Sequence, residues 1–393
     1  MFPLLEGLRI VDLTAVVLGP YATQILGDLG AEVIKVEPPD GDSMRTIAPV
    51  AEPGLSGIYV NINRNKHSIV LDLKAAGGKA ALAKLVATAD AFVHNMRQDA
   101  IDKLGFGYDA VAALNPRICY CAGVGFGSAG PYAGLPAYDD VIQAASGFAG
   151  LFGLRDGTPV YAPSIIADKV TGLHLAYATL AALLYRERTG KTPGYVEVPM
   201  LEAMAAFNLS EHLADASFSE TGEVGYARML AADRKPYATK DGWIGVLPYS
   251  EAKWRAALAE IGRSDVADRP WFPDPTERSK RVGELYAVLA EALPTRTTAE
   301  WRATFLRLDI PHGEVCTPNG LLSDPHLTAV GAFTPNFSGP TPVKRSLRMA
   351  ASFAGVPRAK DRPPPRLGAD TEAVLARAGC TADEIRAALA HRK

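Results

Sequence analysis

The sequence predicts an α/β protein: a large domain built on a doubly wound parallel sheet, plus a smaller α+β domain. Three observations carry that expectation. Short apolar runs alternate with amphipathic helical patterns through residues 1–200, the signature of a sheet covered by helices on both faces. A hairpin signal at Lys240-Asp241-Gly242, followed by helices, marks a change of character, because Asp-Gly supplies the turn geometry. Finally, Pro357, Pro363, Pro364 and Pro365 precede an amphipathic tail, which suggests a tether leading back to the first domain.

Leu8–Leu13 reads as a buried strand, Gly19–Leu29 as a helix opened by Pro20 at its first position, and Glu32–Glu37 as a second strand. Together they make one βαβ unit of about thirty residues. Further strands are expected at His67–Leu71, Ala91–His94, Arg117–Ala122 and Tyr195–Pro199, with helices at Gly77–Thr88, Asp109–Leu114 and Asp139–Phe148 between them. A long helix follows Ala162, its apolar face formed by Val170, Leu173, Tyr177, Leu180 and Leu184. After a helical stretch at Leu201–Glu220, strands at Pro236–Thr239 and Trp243–Leu247 flank the hairpin turn. Helices are then expected at Ser250–Ile261, with Ser250 as cap, at Thr276–Leu293, and at Thr298–Leu308 behind a threonine cap. The expected organisation is a large domain over residues 1–200, a helical linker over 201–225 and a small domain over 226–320. Residues 321–393 form a linker and a tail that returns to the large domain, ending in a helix near Thr381–His391.

With 48% apolar and 21% charged residues and a formal net charge of −2, the chain lacks the basic excess of a general nucleic-acid binder. The four cysteines, Cys119, Cys121, Cys316 and Cys380, make no disulfide framework and have no zinc spacing. A reducing, cytoplasmic setting is the expectation. The first residues carry Glu6, Arg9 and Asp12 within an apolar stretch, unlike a signal peptide, and runs such as Ala176–Tyr185 are too short for a bilayer.

Gly125-Phe126-Gly127-Ser128-Ala129-Gly130 spells the dinucleotide fingerprint, but Pro131, Gly134 and Pro136 follow where a helix is required. A glycine-rich loop is the reading, and a tightly bound nicotinamide or flavin is not expected. No nucleophile elbow, H-E-x-x-H motif or Walker loop occurs, so serine hydrolysis, metal hydrolysis and nucleotide-driven chemistry are unsupported. Arg64-Asn65-Lys66-His67 with Lys74 is the densest basic cluster of the first domain, a patch for a multiply phosphorylated ligand or a solvated loop. Arg97 and Lys103 add a second basic site. Asp168 falls at or just before the first turn of the long helix, where unpartnered N–H groups and the helix dipole hold a carboxylate ionised. Locally, an N-cap worth about 1 kcal/mol is the commoner role for such a residue, and a nucleophile the rarer one.

Taken together, these pieces resemble the class III coenzyme A transferases, the CaiB/BaiF type that includes formyl-CoA:oxalate CoA transferase. The carriers are Leu5–Leu13, Gly19-Pro20, Leu29–Glu37, Asn63–Lys66, Leu71–Lys74, Gly105–Gly107, Gly123–Pro131 with Tyr138-Asp139, and Asp168 with Thr171-Gly172. Ile310–Gly313, Asp324–Leu327 and Leu367–Thr371 continue the likeness nearly to the end. The resemblance implies a Rossmann-like large domain and an interlocked, ring-shaped homodimer. It makes Asp168 the nucleophile, which takes acyl and CoA groups in turn as CoA passes from an acyl-CoA donor to a carboxylic acid acceptor. Coenzyme A is then a substrate rather than a bound cofactor, and no metal is implied. The residues matching the family's CoA-contacting stretches are Val17, Leu18, Leu71, Asp72, Leu73, Lys74, Asn95, Met96, Arg97, Lys103, Pro136, Ala137, Tyr138 and Asp139. The loop backbone, at Gly123, Gly125 and Gly127, is the candidate oxyanion site. Two departures stand out: Val17 replaces a glutamine of some relatives, and Pro38 an arginine.

Two rival readings remain at this level. An α-methylacyl-CoA racemase of the same superfamily needs a histidine where this chain has Tyr138, and a phenol is a poor base near neutrality. A non-catalytic acyl-CoA-binding protein would tolerate loss of Asp168.

Overall fold

Six strands form one parallel sheet: β1 (Arg9–Leu13), β2 (Glu32–Glu37), β3 (Lys66–Val70), β4 (Ala91–His94), β5 (Cys119–Val124) and β6 (Tyr195–Pro199). Their order, β3-β2-β1-β4-β5-β6, reverses direction between β1 and β4, the switch point beside which open α/β sheets bind ligands. This computed structural model describes residues 1–389. The expected bounds of β2, β4 and β6 hold to the residue.

Both sheet faces are covered. Val11, Ile34, Ile69, Phe92 and Tyr120 pack under α2 (Ala76–Ala87) on one side. Ile10, Val33, Val93, Cys119 and Cys121 meet α1 (Leu18–Asp28) and the long helix on the other. Helices α3 (Gln98–Leu104) and α4 (Tyr108–Leu114) follow β4, and α5 (Asp139–Ala145) follows the loop after β5. Helix α1 begins one residue earlier than expected, so Pro20 is its third residue. Its missing N–H still falls in the first turn, where no helical partner exists. The helix expected over Asp139–Phe148 stops at Ala145, because Gly147 adopts φ +81° and breaks the ladder before a separate helix, Phe148–Asp156.

The long helix α6 (Ile166–Thr189) turns a different face inward from the one its periodicity suggested. Leu173, Tyr177 and Leu184 are exposed, while Ala167, Val170, Thr171, Leu175, Ala176, Thr179, Ala182 and Leu183 are buried. Small residues win the inner face because α6 runs close against α1: a Cβ at Gly172 would stand 2.7 Å from the Leu18 carbonyl oxygen. Gly172→Val is accordingly expected to push the two helices apart and cost about 1–3 kcal/mol. A urea midpoint unchanged from wild type would contradict that packing account.

The chain divides into two compact units. The first comprises 1–148, 161–207 and the residues from Thr328 onward, and the second comprises 149–160 and 208–327. Residues 149–160, expected in the large domain, thus group with the second unit. In the first unit, α10 (Thr371–Arg377) and α11 (Ala382–Leu389) complete the core, with Val374, Leu375 and Ala388 buried on the α2 side. His391, in the last expected helix, lies outside the described residues.

The second unit holds an antiparallel sheet of β7 (Tyr237–Ala238), β8 (Trp243–Val246) and β9 (His312–Glu314), ordered β9-β8-β7. Helix α7 (Glu251–Glu260) is capped by Ser250, and α9 (Thr298–Arg307) by Thr297 in a capping box with Glu300. The helix expected over Thr276–Leu293 is two, Pro275–Lys280 and α8 (Val282–Ala292), since Arg281 leaves helical geometry. Trp254, Phe272, Tyr286, Trp301 and Phe305 fill the core between them. No described helix is long and apolar enough to cross a membrane.

Candidate active site

A cavity of about 1160 Å³ opens in the first unit at the carboxyl ends of the parallel strands. Leu13 and Thr14 border it after β1, Glu37 and Pro38 after β2, Leu71 after β3, Asn95 after β4, Gly123–Phe126 at β5, and Tyr195 and Glu197 on β6. Such a mouth follows from the topology, because every strand delivers its loop to the same edge.

The turn between β1 and α1 is held from below by buried charge. Asp12 accepts from the Thr14 N–H at 2.9 Å, the Thr14 hydroxyl at 2.5 Å and the Lys66 ammonium at 3.1 Å. Lys35 donates to the Thr14 carbonyl and to Asp42, both at 2.8 Å. Asp42 in turn accepts from the Val16 N–H at 3.3 Å, and Asn95 clasps Ala15 through both its amide groups. Val16 sits at φ +69°, a conformation that a β-branched residue holds only where its surroundings fix it. Burial outweighs Asp12 at Lys66 and pushes that ammonium down to about 8.

Asp168 is the third residue of α6 and lines the cavity. It is not the cap: that position is Ile165, which has no side-chain oxygen. The Asp168 N–H donates to Asp139 Oδ1 at 3.0 Å, and among the described residues no donor reaches the Asp168 carboxyl itself. Three other carboxylates there differ. Glu37 is held by Arg45 and Ser68, Asp42 by Lys35, and Glu197 by Ser128. The expectation of a firmly ionised Asp168 is corrected: burial, and then the neighbouring Asp139, push its carboxyl up to about 7.

The structure brings Asp168, Leu18, Leu71, Asp72, Leu73, Lys74, Asn95, Met96, Arg97, Ala137, Tyr138, Gly123 and Gly125 to one cavity. Five expected positions lie off its wall. Val17 is buried and Pro136 exposed, and neither lines it. Lys103 points outward, paired with Asp99 at 3.0 Å. Asp139 faces Asp168 from behind, and the Gly127 N–H is taken by Glu202 at 3.0 Å. The basic cluster is also reassigned. Arg64 pairs with Asp28 and Lys66 with Asp12, all four buried, so only Lys74 remains to meet a ligand from the cavity wall. The Gly125–Gly130 stretch is the loop its prolines indicated, with α5 starting only at Asp139.

The family described as CoA-transferase family III matches residues 5–371. The chain belongs to CoA-transferase family III. The acetyl-CoA:oxalate CoA-transferase of Acetobacter aceti is 35% identical over 78% of this chain and 79% of its own length. The human succinyl-CoA:glutarate CoA-transferase is 31% identical over 94% of this chain and 85% of its own. Among solved structures, a CAIB/BAIF family protein from Brucella suis superposes with a TM-score of 0.80 at 29% identity, covering 96% of this chain and 100% of that one.

The transferase's cavity also uses residues that sequence reasoning did not single out. Val16, Asp42, Tyr195, Glu197 and Met200 all line it. For Glu197 and Met200 a signal existed, since β6 was located correctly and its carboxyl end had to reach the mouth; Tyr195 opens that strand. For Asp42 there was none: its partner Lys35 was read only as part of a strand.

Proposed function

We propose that this transferase moves CoA from an acyl-CoA thioester to a carboxylic acid through covalent intermediates on Asp168. The carrying observation is that Asp168 is a buried carboxyl on the cavity wall, nine-tenths shielded, with no donor on its oxygens among the described residues. An unsolvated, unpaired carboxylate is a far better nucleophile than one held in an ion pair.

In its ionised form the carboxylate attacks the thioester carbonyl, the C–S bond breaks, and a mixed anhydride and CoA thiolate result. The thiolate attacks the aspartyl carbonyl, releasing the donor acid and leaving an aspartyl-CoA thioester. The acceptor carboxylate then attacks that thioester, giving a second anhydride and thiolate. Attack of the thiolate on the acceptor's acyl carbon yields the new CoA ester and restores Asp168. Each step exchanges one acyl–oxygen or acyl–sulfur bond for another, so no ATP is needed. Every tetrahedral intermediate needs donors for its oxyanion, one of which is worth about 3 kcal/mol. The backbone at Gly123 and Gly125, at the cavity wall, is the proposed source. Lys74 and Arg97 are the proposed phosphate contacts.

The names of the oxalate and glutarate transferases support dicarboxylic acids as partners. The exposed Leu173, Tyr177 and Leu184 along α6 support a homodimer, for which we retain the interlocked form. Incubation with a productive acyl-CoA is expected to leave an acyl or CoA adduct on Asp168 that hydroxylamine intercepts, read by peptide mass. Deuterium uptake at the α-carbon with no adduct and no acceptor would establish a racemase instead.

A further inference from the structure

We propose that Asp139 and Gln143 are positioning residues for the nucleophile: Asp139 caps α6 from another helix, leaving the Asp168 carboxyl free to face the cavity. The inference rests on the nucleophilic reading of Asp168 given above.

The first turn of a helix offers N–H groups without partners, and a nearby carboxylate is drawn to them. At α6 the cap residue, Ile165, can satisfy none of them. A first-turn aspartate left to itself would fold back onto this turn and lose its reach. Asp139 removes that pull, because its Oδ1 takes the Asp168 N–H from a position 29 residues earlier, at 3.0 Å. Its other oxygen accepts from Gln143 Nε2 at 2.6 Å. Gln143 is fully buried and fastens the strand of chain leading into α6. Its Nε2 also reaches the Ser164 carbonyl at 3.3 Å, and its Oε1 accepts from the Ala162 N–H at 2.9 Å. The start of α6 is thereby tied to α5 at three points, all of them behind the nucleophile.

Asp139 is also the charged group that acts on the Asp168 carboxyl. Charges on the other packed elements are engaged elsewhere: Asp28 of α1 with Arg64, Glu197 of β6 with Ser128, and Lys169 of α6 with Ser164. Cys119 and Cys121 of β5 are buried in the sheet, and Asp140 is exposed.

The test uses the full-length Asp139→Ala, Asp139→Asn and Gln143→Leu variants. Acyl-CoA affinity is measured by calorimetry, single-turnover acyl capture by hydroxylamine trapping, and the Asp168 titration by carboxyl-carbon NMR against Asp168→Asn. Asp139→Ala is expected to slow capture roughly ten- to hundredfold with affinity unchanged, the signature of a misplaced reacting group. Gln143→Leu falls between it and wild type. Asp139→Asn keeps one oxygen for the Asp168 N–H but sets an amide nitrogen against Gln143, so it recovers capture in part. It also moves the Asp168 titration down from about 7. Weakened affinity with capture unchanged would make Asp139 a CoA contact and overturn the proposal, as would an Asp168 titration unmoved in Asp139→Asn. The titration needs no turnover. A wild-type protein that forms no adduct therefore refutes the transfer mechanism while the NMR arm still judges the clamp, and it also decides if Asp139→Ala fails to fold.

Discussion

Asp168→Asn is expected to abolish CoA transfer and, in the same molecule, to make the fold more stable above pH 7. The loss of transfer follows from removing the oxygen that bonds to the acyl group, and should be roughly 10³-fold or more. The gain in stability follows from burial. The folded protein holds the Asp168 proton up to about 7, whereas an unfolded chain releases it near the ordinary carboxylate value of about 4. Between those limits the folded state binds the extra proton, so stability from this group is present at low pH and is lost as pH rises to 7. An asparagine carries no such penalty. The variant's advantage over wild type should grow between pH 4 and pH 8 by roughly 2–4 kcal/mol, read from urea midpoints at the two pH values. The same ionisation should appear as an acid limb near pH 7 in kcat/KM. An advantage equal at both pH values would show that Asp168 is ionised throughout.

The second large effect is expected at Asp12, which never meets a substrate. Asp12→Ala strands the Lys66 ammonium in the core, fully buried beside Lys35, and should cost about 3–5 kcal/mol. The Thr14 N–H and hydroxyl lose their acceptor at the same time, so the turn before α1 loosens and CoA affinity falls. A paired Asp12→Leu, Lys66→Met variant separates the two roles. With both charges gone, most of the stability should return, since a buried ion pair replaced by apolar groups is often near neutral. Affinity should stay low, because the turn still lacks its anchor. Return of both together would mean that the network serves the fold alone.

The strands of the parallel sheet were legible in the sequence because each is a short, largely apolar run between turn residues, whereas His312–Glu314 of the small sheet carries no such run and was not expected. The nucleophile was legible only through the likeness of whole stretches to a known family; helix position by itself favoured a cap. Three kinds of feature were not legible. Lys66 read as part of a phosphate patch or a solvated loop, because its partner Asp12 is 54 residues away and only folding makes them neighbours, and Lys35 drew no reading beyond its strand. The inner face of α6 was misread, since periodicity finds a stripe of large residues but does not say which stripe meets the core. Here Gly172 and its small neighbours do. The protonation of Asp168 was misjudged because the local argument counts the helix dipole, while the deciding influences, burial and Asp139, are tertiary.

Residues 368–371 have a consequence for how the protein is made. Ser68 and Val70, on the open edge of β3, are satisfied by Asp370 and Thr371, and the Asp370 N–H donates to the Ser68 carbonyl. Until translation has delivered that segment, the nascent sheet presents a bare strand edge and an uncovered apolar floor while the whole second unit is already synthesised. A bare edge of this kind recruits other strands. A stop codon placed just before residue 368 should therefore send product to aggregates rather than yield a shortened soluble enzyme.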